Sequence, residues 1–513
     1  MSTLELVTSA PLQPLLSRLI SEVTSDIHRG DVATTPRGVA PVVAATALER
    51  GPLCVVVASH READNLEEDV AAWLGDDEAV VTWPAWDVAP FERVSPDIVV
   101  MGRRAEVRRR MAGANPPRVV IATVRSLLQV VPPQSDFIGL VAASELDRDD
   151  FVRWLVARGY RREPQVEHRG EVAVRGDIVD VWLSHLNEPV RIELFGDEVE
   201  RLTQFDVATQ RSLRTLESCY VYPAREWSPS AADRATAERA LSQWPELRDV
   251  FQPLVDGQFV DGMESWLGWL QPAAPTFLDV IDAGRELVVI DHDRLAQRAG
   301  ELLAEEAELA DVVAATWGLD NAPLLHRSFD EVLASRDVAV RVSSDATALG
   351  PWVATDPPVC QGDPQRLATH LATRQPQQAI VVVHSDATQQ RLLGLFEDVG
   401  LATTTSLADA GDYDLAVVHA ALARGLATSD TIVWSEGDFT GRRAPRRQPR
   451  ARARHVDGFF DDLTTGNLVV HRTIGIARYA GATTRTLGDT TRDYLILEFR
   501  GGDRLFLPTD QVD

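Results

Sequence analysis

The sequence predicts a multi-domain α/β chain: a parallel α/β domain interrupted by a small α+β domain, then a second α/β domain, then a small β module. Three observations carry this. Apolar runs that read as buried strands alternate with helical segments in the first 150 residues, and again after about residue 355. From about Phe151 to residue 222 the period changes to two. A length of 513 residues is too great for one core and suits roughly three to five domains.

Taken in order, "LCVVVASHREADNLEEDVAAWL" gives a strand from Leu53 to Ala58 and then a helix. Ser59 and Glu62 have capping-box spacing. Leu66, Val70, Trp73 and Leu74 follow at helical spacing. "RVVIATVRSLLQVVPP" gives a second buried strand, Val119 to Ala122, and a helix that stops before Pro132-Pro133. "EVAVRGDIVDVW" and "VRIELFGDEVERL" read as antiparallel strands, with Gly196-Asp197 suited to a two-residue turn. "CYVYPA" closes that section. Helix-rich sequence follows from Ser228 to Ala334, with the strand "ELVVID" at Glu286 to Asp291 inside it. A further α/β unit contains "AIVVV", the helix "DATQQRLLGLFEDV" ending at Gly400, "DLAVV" at Asp414 to Val418, and "TIVW" at Thr431 to Trp434. "GRRAPRRQPRARAR", Gly441 to Arg454, reads as an extended, solvated tether, with a phosphate- or acid-binding tether as the alternative. A small β section, "NLVVHRTIGIARYAG" and "DYLILEFRGGDRLFLP", comes last. Asp513 falls inside its pattern, which suggests an N-terminal piece of something longer.

Charge and composition exclude several function classes. The net charge is −26, and the 13 arginines from Arg442 onward leave 38 basic against 68 acidic residues before it. A broad DNA-gripping surface needs clustered positive charge, so the first 441 residues argue against one. All 51 basic residues are arginine. A phosphate loop of the G-x-x-x-x-G-K-[ST] type, or a Schiff-base lysine, is therefore impossible in this chain. The place for such a loop, "RGVAPVVAATALERG", has Gly38 but no glycine cluster, although its helix start could hold an anion weakly. Cys54, Cys219 and Cys360 have no paired spacing. His60, His292 and His384 each follow a strand, but none has metal-ligand spacing with a second histidine; "DHD" at Asp291 to Asp293 reads as a loop. No catalytic, cofactor or metal residue is assigned. No apolar run reaches the roughly 20 residues of a membrane helix, and no signal peptide is read, so a cytoplasmic location is expected.

One residue breaks its pattern. In "PVRIELFGDEVERL", Val190, Ile192 and Leu194 cover a core, while Arg191, Glu193 and Phe195 point the other way. Arg175 lies opposite Val174. If these strands are neighbours, Arg175, Arg191 and Phe195 form one exposed patch of the kind protein interfaces use as anchors. Alternatively, Phe195 covers a neighbouring helix and the arginines pair with Glu193 or Asp197.

The segment Gly159 to Ser212, "GYRREPQVEHRGEVAVRGDIVDVWLSHLNEPVRIELFGDEVERLTQFDVATQRS", resembles the inserted domain shared by the bacterial excision-repair damage-verification protein and the transcription-repair coupling (Mfd) family. "VVTWPAWDVAPFERVSPD", "DGMESWLGWL", "EGDFTGRR" and "VVHRTIGIARYAG" make the second family the better fit. The absent lysine separates the chain from the damage-verification protein, which needs a working phosphate loop.

The resemblance implies a degenerate helicase-like α/β domain at 1–150 and 223–340, without a nucleotide site, interrupted by an inserted domain at 151–222. It further implies a small α/β domain at 355–437, an Arg/Pro-rich linker at 438–456, and a Tudor-like β module at 457–513. It implies an adaptor without a catalytic site of its own. The inserted domain would bind the excision-repair damage-recognition ATPase through Arg175, Arg191 and Phe195, the arginines forming bidentate pairs with acidic groups on the partner. The β module would add a strand edge to the β subunit of RNA polymerase, with contacts at the turn Thr483 to Leu487, at Thr484, Arg485 and Leu487. ATP, magnesium and most DNA contact would belong to motor domains beyond Asp513, in a parent that is an ATP-dependent DNA translocase. Ile474 and Ala477 stand where the family usually has His and Gly. A divergent nucleotide-dependent enzyme of the damage-verification type and a purely structural remnant are the competing readings.

Overall fold

In the computed structural model the described residues are 12–133, 136–344, 354–420, 422–441, 468–471, 475–487, 490–498 and 504–508. They fall into two compact units, 1–451 and 452–513.

The first unit is organised around a six-stranded parallel sheet. Its strands are β1 (Asp31–Ala33), β2 (Leu53–Val57), β3 (Val80–Trp83), β4 (Val119–Thr123), β13 (Glu286–Ile290) and β14 (Val338–Ser343), in the order β1-β14-β13-β2-β4-β3. The Val/Leu-rich runs of β2 and β4 are buried throughout, as strands covered on both faces must be. Helices α1 (Gln13–Arg29), α2 (Val39–Arg50) and α3 (His60–Leu74) cover one face. In α3, Ser59 Oγ accepts from the Glu62 amide at 3.3 Å, whereas the Glu62 carboxylate accepts from Ala58. Only half of the expected box is therefore made at Ser59. Leu66, Val70 and Trp73 face the core.

Two expectations for the inserted region need correction. The alternation does not begin at Phe151: after α4 (Ile98–Met111) and α5 (Val124–Leu128) comes a helix, α6 (Arg148–Val156). Phe151, Val152 and Leu155 are its buried stripe, and Asp147 caps it through the Asp150 amide at 2.7 Å. "CYVYPA" does not close the hairpin sheet either. Its strand β12 (Ser218–Val221) pairs instead with β5 (Ile138–Val141) as a separate two-stranded ribbon. The main sheet of this region has the order β11-β10-β9-β8-β7-β6. Its members are β6 (Arg161–Arg162), β7 (Glu171–Arg175), β8 (Ile178–Val181), β9 (Val190–Phe195), β10 (Glu198–Phe205) and β11 (Ser212–Leu216), antiparallel except between β6 and β7.

A second sheet, order β16-β17-β15-β19-β18, is built from β15 (Gln378–Val383), β16 (Thr403–Thr404), β17 (Leu415–His419), β18 (Leu426–Ala427) and β19 (Thr431–Ser435). It is parallel apart from β18. The other unit is an antiparallel sheet of β20 (Leu468–His471), β21 (Gly475–Leu487), β22 (Thr490–Glu498) and β23 (Arg504–Pro508).

Candidate protein-interaction surface

The inserted sheet has one apolar face. Val172, Val179, Val190, Ile192, Leu194, Val199 and Leu202 are buried there against Phe151, Leu155 and Tyr160. Strand alternation then sends Arg175, Asp180, Arg191, Glu193 and Phe195 to the opposite face. The register sets them in rows. Ala173, Asp180, Arg191 and Thr203 are cross-strand neighbours, and so are Arg175, Ile178, Glu193 and Arg201. Phe195 follows Glu193 by two residues and is the last residue before the Gly196-Asp197 turn. Gly196 has φ of 64°, and a Cβ there would meet nothing, so glycine is needed for the angle and not for space. Phe195 is 80% exposed, so the reading that it covers a helix does not hold.

The two arginines are not the free forks that sequence suggested. Both converge on Asp180, whose side chain is 1% exposed. Arg191 engages it bidentately, Nε to Oδ1 at 2.7 Å and Nη2 to Oδ2 at 2.9 Å. Arg175 adds Nη2 to Oδ2 at 2.7 Å. Arg191 also lies 4.6 Å from the Phe205 ring centroid, and its hydrogen bonds to Asp180 push its pKa further up. Its side chain is only 18% exposed, against 50% for Arg175. The expected bidentate pair between Arg191 and an outside carboxylate is thus already made inside the chain. Glu193, the other suggested partner, pairs with Arg201 at 2.7 Å. At the far end of this face Val166 and Trp182 close over Ala173 and Phe205. What stays open is Phe195, the outer edge of Arg175 and, paired to Glu193, Arg201.

Asp180 is the residue sequence reasoning missed. Its signal was present: "DIVDV" puts an aspartate on the outer face, one strand from both arginines. A second signal was the repeated Gly-Asp turn. Gly176-Asp177 and Gly196-Asp197 end neighbouring hairpins, directly after Arg175 and Phe195.

In the second unit, Thr484, Arg485 and Leu487 are not in a turn. The backbone places them within β21, opposite Asp493, Arg492 and Thr490 of β22. Thirteen residues form one strand there, with a register shift between Tyr479 and Ala482 and a Thr-rich end that favours extended backbone. Ala477 is also in β21, paired with Val469, while Ile474 lies outside the described residues. Among the described residues, no group of three His, Cys, Asp or Glu could hold a metal ion, and no helix is long and apolar enough to cross a membrane. "DHD" is not a loop: His292 and Asp293 open the helix His292–Trp317, and Asp291, at its N-cap position, turns its carboxylate away to accept from Ser344 N and Oγ, each at 2.6 Å. The three cysteines are free and buried, and burial pushes the thiols of Cys54 and Cys219 up to about 12 and that of Cys360 up to about 11.

The sheet carrying Phe195 coincides with a known domain. Residues 138–227 match the family described as UvrB interaction domain, and residues 463–513 match the CarD-like/TRCF RID domain. The first range begins at β5 and so includes the β5–β12 ribbon. Transcription-repair-coupling factors match across nearly the whole chain: that of Mycobacterium bovis is 31% identical over 533 residues, covering 92% of this chain and 43% of the relative. The Myxococcus xanthus factor is 30% identical, with 90% and 43% covered, and that of Staphylococcus haemolyticus is 24% identical, with 88% and 42% covered. This chain is a relative of the transcription-repair-coupling factors. It spans less than half the length of those curated relatives.

Proposed function

We propose that this chain is the recruitment part of a transcription-repair-coupling factor, joining excision repair to a stalled RNA polymerase. Residues 138–227 bind the damage-recognition ATPase of excision repair through the outer face of the inserted sheet, and the module from residue 463 binds the β subunit of the polymerase. The observation that carries this is Phe195, an aromatic ring 80% exposed on a sheet whose other face is fully packed. A large exposed aromatic on the same sheet face as a half-exposed arginine is the composition of a binding anchor. The observed geometry sharpens the partner: an apolar socket for Phe195, with one acceptor for Arg175. Arg191 and Asp180 act as the support behind them. In β21, Thr484, Arg485 and Leu487 stay the proposed polymerase contacts, now as parts of a strand arm.

The helicase-like ancestry of 1–150 and 223–340, the domain bounds and the Tudor-like character of the second unit belong to the same proposal. So do the translocase parent, its ATP and magnesium, and a cytoplasmic location. Titration of the purified chain with the damage-recognition ATPase, and separately with polymerase core enzyme, tests the reading. Saturable binding to both is expected; loss of either removes that half of the adaptor.

A further inference from the structure

The residues after β1 raise a separate question. In parallel α/β sheets, ligands gather beyond the carboxyl ends of the strands, where a helix N-terminus can hold phosphate. Here that junction is Thr34 to Gly38, between β1 and α2. It is covered by the chain itself. Arg37 Nε donates to Asp356 at 2.5 Å, and its Nη1 reaches Asp438 at 3.2 Å and the Gly425 carbonyl at 3.4 Å. Thr35 Oγ1 donates to the Ala354 carbonyl. A second latch sits on α3: Asp69, buried, accepts from the Ala423 amide at 3.2 Å and from Arg424 Nε at 3.0 Å. Burial pushes Asp69 upward, and Arg424 opposes that shift.

Beneath these latches the apolar core is continuous. Val42, Val43 and Ala47 of α2 belong to one buried cluster with Ile380, Val382, Val418 and Val433 of the second sheet. Eight consecutive residues of α2, Ala40 to Ala47, are buried, so the helix is covered on all sides and not only toward its own sheet. The helices α1 to α3 thus form a layer whose buried residues pack with those of both sheets.

We propose that the second α/β sheet serves as an internal ligand for the first, closing the end where a phosphate would sit and locking the β1–α2 junction without nucleotide. Three features point the same way. Pro41 removes one of the amide donors of α2's first turn. Asp356 and Asp438 present negative charge where an anion would approach. Asp438 also accepts from the Gly425 amide at 2.6 Å, so Arg37, the loop 422–427 and the short helix Glu436–Thr440 share one network. That helix ends at Gly441, where the basic segment begins in sequence, so the root of the tether is fixed to the first sheet's helical layer.

Amide hydrogen exchange on the full 513-residue chain tests this, with wild type compared against Arg37→Ala and Asp356→Asn. Arg37→Ala should raise exchange about tenfold or more at residues 38–43 and at 422–427 together, with β9 and β10 unchanged. Asp356→Asn, at an exposed carboxylate, should do so more weakly. Magnesium-ATP at millimolar concentration should not slow exchange at 38–43 in wild type. Unchanged exchange on either side of the latch in both variants would overturn the proposal, as would protection of 38–43 by nucleotide. Should Arg37→Ala fail to fold, Asp356→Asn and the nucleotide arm decide.

Discussion

Replacing Phe195 by alanine is the sharpest perturbation of the recruiting surface. A phenylalanine covers roughly 200 Å² when fully enclosed, and four-fifths of this one is in water, being 80% exposed. Enclosing that area in a partner's socket stabilises a complex by up to about 4 kcal/mol at ~25 cal/mol per Å². Part of the gain goes to immobilising both surfaces, so truncation should cost about 2–3 kcal/mol, or roughly 30- to 150-fold in Kd. The same truncation removes almost no buried area from the free chain, so its melting temperature should move by less than about 2 °C. Calorimetric titration with the damage-recognition ATPase, paired with a thermal melt, reads both numbers. Affinity within threefold of wild type would show that the ring is not the anchor. A large fall in melting temperature would show that the ring packs within the free chain instead of standing open.

The two arginines should separate in behaviour. Arg191→Ala leaves the buried Asp180 carboxylate with Arg175 alone and should cost about 2–4 kcal/mol of folding stability in urea titration. Arg175→Ala should cost under about 1 kcal/mol while still weakening binding of the damage-recognition ATPase. Arg104→Ala should be worse: its guanidinium, 0% exposed, donates to Glu226 at 2.7 Å and lies 4.1 Å from the Trp83 ring centroid, so about 3–5 kcal/mol is expected from the same assay. His185 supplies a pH test. Burial first, and Arg109 second, push its imidazole down to about 3, so on acidification the unfolded chain takes up this proton before the folded one. Stability should therefore fall as pH drops below about 6.5, by at most ~1.4 kcal/mol per unit from this group; His185→Gln should flatten that part of a urea-midpoint profile between about pH 6.5 and 5.

Much of the fold was legible because it rests on local pattern. The buried strands at Leu53 and Val119, the helix capped by Ser59 and the hairpin at Gly196-Asp197 each carry their signal within a few residues. What escaped was set by distant partners. The pairing of β12 with β5 joins residues about 80 positions apart, and "CYVY" alone does not name its neighbour. Strands β1 and β14 were missed because three- to six-residue runs such as "DVA" say little until they are seen side by side. Phe195 could be read from alternation, since period two fixes the face. Asp180 was not assigned as the shared partner of Arg175 and Arg191, because Glu193 and Asp197 lie nearer to Arg191 in sequence, although Asp180 is five residues from Arg175. Cross-strand register, not sequence distance, decides which carboxylate a guanidinium reaches.

The aspartate between the arginines changes how a partner can be selected. Two arginines with no partner would have offered two positive charges to an acidic surface. With Asp180 between them the group carries a net charge of one, and Glu193 with Arg201 adds none. Around it, Asp177 and Asp197 occupy the two turns and Asp149 lies nearby against Arg148, within a chain of net charge −26. Long-range attraction of an acidic partner is therefore weak or opposed. Selectivity must come at contact, from a socket shaped for one ring and an acceptor placed for one guanidinium edge. Shape of this kind changes the dissociation rate more than the association rate. Adding salt should accordingly leave binding by this surface nearly unchanged, or slightly stronger, whereas a surface built on two free arginines would lose affinity steeply.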